Sequence, residues 1–169
     1  MESPKITIGR NVHVDLIGHA QQVSAKVDTG ADSSSVWASN VTITADGTLQ
    51  FTLFDIGSPF YDGKVIETTN YTVATVRSAT GHEEIRYRTT LAVRVKGKRI
   101  KAVFNLSNRS RNRFPVLIGR RTLSNKFIVD VTMADEESRL VFENENKKLN
   151  HELNENPHAF YEKYHGKDL

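Results

Sequence analysis

Hydrophobic and polar residues alternate along the chain as far as about residue 142, which is the two-residue period of half-buried β-strands and not the longer period of helices. Turn-forming sequences separate the alternating segments: Asp46-Gly47, residues 78–81 and residues 96–98. Residues 120–125 are predicted to make one or two helical turns. The predicted strands are 5–8, 12–16, 22–27, 41–44, 49–54, 69–76, 83–87, 89–95, 99–106, 116–118 and 127–131. The pattern therefore indicates an all-β barrel or sandwich.

The last part of the chain has a different composition. Residues 143–155 are rich in Asn, Glu and Lys, so they are predicted to form a solvated linker or a loose helix. Asn156 followed by Pro157 is a typical helix start, and Gly166 is a typical stop, which predicts a short helix over 157–165. We therefore expect one domain over 1–142 and a polar, partly helical tail over 143–169.

Composition and charge narrow the possible functions. The chain has 169 residues and no cysteine, which excludes a disulfide framework, a thiolate nucleophile and a Cys-ligated zinc site. A net charge of +3 does not by itself argue for a nucleic-acid partner. The apolar segments are strand-sized and the N-terminus lacks the pattern of a secretory signal, so we expect a cytoplasmic protein with no membrane partner.

The most informative motif is Asp28-Thr29-Gly30, which follows the predicted apolar strand 22–27. A tight loop of this kind presents a carboxylate, while the glycine allows close approach of another backbone. Two such carboxylates about 3 Å apart share one proton, which allows general base and general acid chemistry on a peptide carbonyl. The tripeptide Asp-Thr-Gly is also expected by chance, as part of an ordinary turn, in roughly a few per cent of chains of this length.

A second motif lies about ninety residues later along the sequence, the apolar segment Leu117-Ile118-Gly119-Arg120. Together, the two motifs resemble those of the retropepsins, the retroviral-type aspartic peptidases. The segments 26–31 and 114–121 are similar, more narrowly, to the bacterial RimK-associated retropepsin-like proteins, whose members have often been labelled ATP-dependent zinc proteases. The resemblance covers roughly residues 6–132.

This resemblance implies a closed barrel that forms a homodimer with one active site, where Asp28 of each chain is catalytic. It implies an aspartic-type endopeptidase that hydrolyses a peptide or isopeptide bond in a peptide or a polyglutamate-modified protein, without cofactor or metal ion. Thr29, Gly30 and Ala31 would support the active-site loop, and Ile118 and Gly119 would form the segment that passes through it (the psi-loop). The implied substrate-binding residues are Asp32, Arg120 and the flap tip Ser78, Ala79, Thr80 and Gly81.

Some positions depart from the pattern of these relatives. Asp32 makes the chain more retropepsin-like than many RimK-associated proteins, whereas the flap tip has a single glycine and viral flaps have more. His82-Glu83 lacks the second histidine of a zinc-protease helix, and no Walker-type loop for ATP is present. Neither zinc nor ATP is therefore expected.

Two alternatives remain open from the sequence. The first is a catalytically silent, dimeric binding or regulatory module that has kept the fold, because Asp28 is necessary for catalysis but not sufficient. The second is an RNA-binding β-barrel, which we weigh below the others because few aromatic residues accompany the arginines. The arginines in question are Arg109, Arg111, Arg113, Arg120 and Arg121.

Overall fold

The computed structural model describes residues 3–78, 80–134 and 136–166, with side chains from 143 onward in the last range. Contacts divide the chain into two compact units, one ending at Met133 and one beginning at Ala134. Each unit is described here by itself.

The first unit is built almost entirely of β-strands. Its strands are β1 (Ile6–Ile8), β2 (Asn11–Leu16), β3 (Ala20–Val27), β4 (Ser34–Ile43), β5 (Leu49–Leu53), β6 (Val65–Thr68), β7 (Tyr71–Arg77), β8 (Glu83–Val95), β9 (Lys98–Ser107), β10 (Val116–Ile118) and β11 (Phe127–Val129). One short helix, α1 (Arg120–Leu123), lies between the last two strands. The all-β class with a single short helix in the body is confirmed.

Six strands close into a barrel. They follow the order β10-β3-β2-β8-β9-β4, and β4 pairs with β10 again to complete the ring. β10 runs parallel to β3 and antiparallel to β4, so this three-residue strand lies between the strands that precede and follow Asp28. β1 and β11 form a separate two-stranded parallel sheet. The closed barrel implied by the sequence is confirmed.

Alternating residues of the strands fill the barrel. On β2 and β3, Val12, Val14, Val23 and Ala25 are buried while their neighbours are partly or fully exposed. Burying a valine side chain contributes roughly 1.5 kcal/mol or more, so this alternation fixes which face of each strand points inward.

β4 begins seven residues earlier than the strand predicted over 41–44, which is therefore wrong in its extent. The added segment contains Ser34 and Ser35, which are buried although they are polar. Because serine is polar, the hydrophobic pattern did not predict a strand at these two positions. β6 was also not predicted; it adds to the barrel sheet by pairing with β5.

β7 and β8 form a long antiparallel hairpin whose last pair is Arg77 with Glu83. The turn that joins them contains Gly81 at a φ of 83°, a conformation that favours glycine. This hairpin contains residues 76–87, which are expected to form the flap, and its pairing continues beyond them as far as Tyr71 with Thr89. The role of the hairpin as a flap stays a prediction.

The second unit contains two helices, α2 (Glu136–Glu155) and α3 (Pro157–Tyr164). The Asn156 side chain caps α3 by accepting a hydrogen bond from the Ala159 N–H at 3.0 Å. The expected boundary between residues 142 and 143 falls inside α2, and as a division of function it stays a prediction. Among the described residues, no helix is long and apolar enough to span a membrane.

Candidate active site

The loop between β3 and β4, residues 28–33, holds the candidate catalytic carboxylate and is called the acid loop below. The backbone N–H groups of Gly30 and Ala31 both donate to Oδ1 of Asp28, at 3.0 and 3.1 Å. The Asp28 side chain is 29% exposed. The loop therefore fixes the orientation of the carboxylate through one oxygen and leaves the side chain accessible to a ligand.

β10 and the two residues that follow it support the acid loop through backbone contacts. The Asp28 N–H donates to the carbonyl oxygen of Ile118 at 2.9 Å, and the Arg120 N–H donates to the carbonyl oxygen of Ala31 at 2.8 Å. Gly119 is buried against the loop, where a Cβ atom would lie 2.5 Å from the Ser33 carbonyl group. Only glycine fits this close approach, which explains why the second sequence motif contains one.

A buried hydroxyl pair ties the start of β4 to α1. Ser34 Oγ lies 2.7 Å from Thr122 Oγ1 and accepts a hydrogen bond from the Gly119 N–H at 3.0 Å. All three residues are buried, so these bonds satisfy polar groups that water does not reach. The pair therefore fixes the end of the acid loop against α1.

Thr29 and Gly30 are exposed on the single chain. The expected role of Thr29, which is to bond to a second copy of the acid loop, needs such exposure and stays a prediction. Ala31 is half-buried and contributes backbone contacts to Asp28 and Arg120.

Asp32 forms ion pairs with both arginines of α1. Its Oδ2 lies 3.0 Å from Arg121 Nε, and its Oδ1 lies 3.8 Å from Arg120 Nη2. Arg121, which is the nearer partner, is not among the substrate-binding residues that the resemblance implies. About half of each of these side chains or more is exposed, so the pairs remain open to solvent and to a ligand.

The flap tip is a turn closed by its own polar groups. The Gly81 N–H donates to the Ser78 carbonyl oxygen at 3.0 Å, and the hydroxyls of Ser78 and Thr80 lie 2.8 Å apart. Ala79 lies outside the described residues. Within residues 3–78 and 80–134, no hydrogen bond joins the tip to the acid loop, so the structure does not bring these two groups of predicted site residues into contact.

Cationic side chains surround Asp28. Lys26 Nζ lies 3.8 Å from Asp28 Oδ2. Burial lowers the pKa of Arg109, the positive charge of Arg86 lowers it further, and the negative charge of Asp28 opposes both. Arg109 also donates from Nε to the Phe114 carbonyl oxygen at 3.0 Å. Sequence reasoning placed Arg109 in a basic cluster and missed its position near the candidate catalytic group.

A cavity of about 410 Å³ lies between β4, the flap strand β8 and the end of β9. Trp37, Arg86 and Ser107 are among the residues that line it. In the part of the chain that the structure describes, the buried Ser107 Oγ has no hydrogen-bond partner. The cavity therefore offers an aromatic wall and an unpaired hydroxyl beside the β7–β8 hairpin, while the charge of Arg86 is paired with Glu84, which also lines the cavity, at 2.9 Å.

No group of three or more His, Asp or Glu side chains is placed to hold a metal ion within the described ranges. His82 is exposed near the flap tip, and His151 and His158 are exposed on the helices of the second unit. The absence of a metal ion from the site stays a prediction.

Comparisons with known proteins agree with this geometry. The family model RimB-like, described as retropepsin-like aspartic endopeptidase RimB, matches residues 7–139. Among solved structures, the chain is similar to Lpg0085 (DUF785) of Legionella pneumophila subsp. pneumophila str. Philadelphia 1, a protein with unknown function. The two share 28% identity at a TM-score of 0.62, over 78% of this chain and 97% of that one. No curated protein matches the chain significantly.

Proposed function

Because the chain belongs to the RimB-like family of retropepsin-like aspartic endopeptidases, we propose that it is an aspartic-type endopeptidase with Asp28 as its catalytic carboxylate. The observation that carries the proposal is the geometry of that side chain. Two backbone N–H groups fix Asp28 Oδ1, the loop rests on β10, and the side chain stays accessible. This is the arrangement that a carboxylate needs in order to act on a bound water.

The proposal requires two chains, because the sequence contains one Asp-Thr-Gly motif. In a two-fold homodimer, the two Asp28 carboxylates would face each other and share a proton. One carboxylate accepts a proton from water while the water oxygen attacks the carbonyl carbon of the substrate. The other carboxyl group donates its proton to the carbonyl oxygen of the substrate. The tetrahedral intermediate then collapses as the amine leaves with a proton. As proposed, the reaction uses no cofactor and no covalent intermediate.

We further propose that the substrate is an acidic peptide, such as a protein extended by glutamates. The positive charges of Lys26, which lies 3.8 Å from Asp28, and of Arg109, which interacts with the charge of Asp28, support this, because cationic side chains favour a negatively charged chain. The resemblance to RimK-associated proteins supports it as well, since that association is with a glutamate-adding ligase. A cytoplasmic location is part of the same proposal.

The experiment is turnover of a fluorogenic peptide library, with and without runs of glutamate, from acidic to neutral pH. Wild type is compared with Asp28→Asn, and Asp62→Asn serves as a matched control because Asp62 bonds locally to the Lys64 N–H. We expect Asp28→Asn to lose at least about 3 orders of magnitude in rate, as expected for removing a general base and its proton relay. Equal rates for wild type and Asp28→Asn would reject the peptidase.

One observation favours a second candidate, a catalytically silent dimeric binding module. Lys26 lies beside Asp28 Oδ2, so the oxygen that is not held by the loop already has a cationic neighbour. A silent module would capture an acidic peptide without cleaving it, and capture would persist in Asp28→Asn. Isothermal titration of the intact peptide, followed by mass spectrometry of the recovered peptide, separates the two candidates.

A further inference from the structure

A second cavity, of about 340 Å³, lies between β9, the base of the flap hairpin and the segment that follows α1. Asp28 does not line it, and neither do the flap-tip residues 78, 80 and 81. Within the described part of the chain, none of its lining residues is acidic and four are cationic. These four are Arg88, Lys101, Arg121 and Lys126.

Arg88 is half-buried, and it has only neutral hydrogen-bond partners among the described residues. Its Nε donates to Asn105 Oδ1 at 2.9 Å, and its Nη2 donates to Ser33 Oγ at 2.6 Å. Both bonds fix the guanidinium in place without neutralising its charge. A half-buried charge that lacks a counter-charge is unfavourable, and binding of an anion relieves that cost.

The other cations leave the cavity with an excess of positive charge. Arg121 pairs with Asp32, which is the one carboxylate within ion-pair distance of any of the four in the described residues. Lys126 donates to the neutral carbonyl oxygen of Ser124 at 3.2 Å, and Lys101 is exposed on β9. Mutual repulsion among these cations is unfavourable and favours a ligand that carries more than one negative charge.

We propose that this cavity is a binding site for a small phosphorylated molecule. A phosphate group carries nearly two negative charges and three acceptor oxygens, which suits several converging cations better than a single carboxylate does. The Thr72 hydroxyl at the base of the flap adds a neutral donor. The volume lies in the range of small-molecule pockets and exceeds what one phosphate group fills, so the ligand includes an organic portion.

The test is isothermal titration of the full chain with inorganic pyrophosphate at low ionic strength. The informative variant is Lys101→Gln/Lys126→Gln, and the control is Lys96→Gln/Lys98→Gln. The control removes the same charge from the turn after β8 and from the first residue of β9, outside the cavity. We expect the dissociation constant to rise at least about tenfold in the first variant and to change less than about twofold in the control.

A second measurement guards against a loss of folding. Pyrophosphate should raise the thermal unfolding midpoint of wild type and of the control by more than that of Lys101→Gln/Lys126→Gln, whose midpoint without ligand should be no lower than that of wild type. The proposal is wrong if wild type does not bind pyrophosphate at low salt, or if both variants weaken binding equally. It is also wrong if citrate, a tricarboxylate with no phosphate, binds as tightly as pyrophosphate does.

Discussion

The hydroxyl oxygen of Ser34 lies 2.7 Å from that of Thr122, and both side chains are buried. The two residues are 88 positions apart in the sequence. Their contact links the strand that leaves the acid loop to the helix that follows β10. The stability of the barrel and the geometry of Asp28 therefore depend on the same small set of polar contacts.

Ser34→Ala is expected to destabilise the protein by about 2–3 kcal/mol, because it leaves the Gly119 N–H and the Thr122 hydroxyl buried without their partner. The measurement is the free energy of unfolding in urea. Ser110→Ala is the control, because Ser110 is exposed and bonds through its backbone N–H, which alanine keeps. Equal stability of the two variants would show that the hydroxyl pair contributes nothing.

Two glycine substitutions should separate folding from activity. In Gly119→Ala, the new Cβ would lie 2.5 Å from the Ser33 backbone, so we expect a loss of about 3 kcal/mol. In Gly30→Ala, it would meet only Asp28 Oδ1, at 3.3 Å. We expect a change in stability below about 1 kcal/mol and at least about tenfold slower hydrolysis, because the carboxylate must move. Urea unfolding and peptide turnover are measured on both, and the reverse pattern would contradict the geometry.

Mixing subunits tests whether one active site needs two chains. Wild type and Asp28→Asn are unfolded, combined in equal amounts and refolded, so that the chains pair at random. If the site needs Asp28 from both chains, activity at constant total protein should fall to about one quarter of wild type, since only wild-type pairs are active. A value near one half would mean that each chain acts alone, and sedimentation of the mixture checks that dimers form.

Stability should decrease on acidification, in part through His19. Burial lowers the pKa of His19 below its usual value of 6.5, Lys64 lowers it further, and Asp62 opposes them. Below pH 6.5 the unfolded chain therefore binds a proton that the folded chain takes up only at lower pH, so stability is lost as the pH falls through this interval. His19→Gln should lose less stability than wild type between neutral and mildly acidic pH, as measured by urea unfolding.

The control for His19 is the exposed His82→Gln. It should retain the pH dependence of wild type. If His19→Gln also retains it, the folded and unfolded states bind the His19 proton equally and the interpretation is wrong.

The sequence allowed prediction of the features that local patterns encode. Asp28-Thr29-Gly30 and the apolar segment before Gly119 each have a recognisable composition, and the structure brings them into contact through β10. The cap at Asn156 was predictable for the same reason, because the capping bond spans three residues.

Features that depend on folding were not predictable in this way. The start of β4 was missed because Ser34 is a polar residue at a core position. Its hydroxyl group forms a hydrogen bond with Thr122 on α1, which is distant in the sequence. Arg109 interacts with the charge of Asp28, and Arg88 donates a hydrogen bond to Ser33. Both partners are distant in the sequence. In addition, α2 runs through residues 143–155, whose polar composition left a linker and a loose helix both open.

The pairing of β10 with β3 sets a condition on biosynthesis. Val116 pairs with Ala25, so the strand that supports the acid loop leaves the ribosome long after the loop itself. Contacts between such distant segments form late, because the intervening chain must first be closed into a loop. A nascent chain that ends before β10 therefore lacks the strand that supports the loop of Asp28, so the proposed peptidase activity is expected only after β10 has been translated.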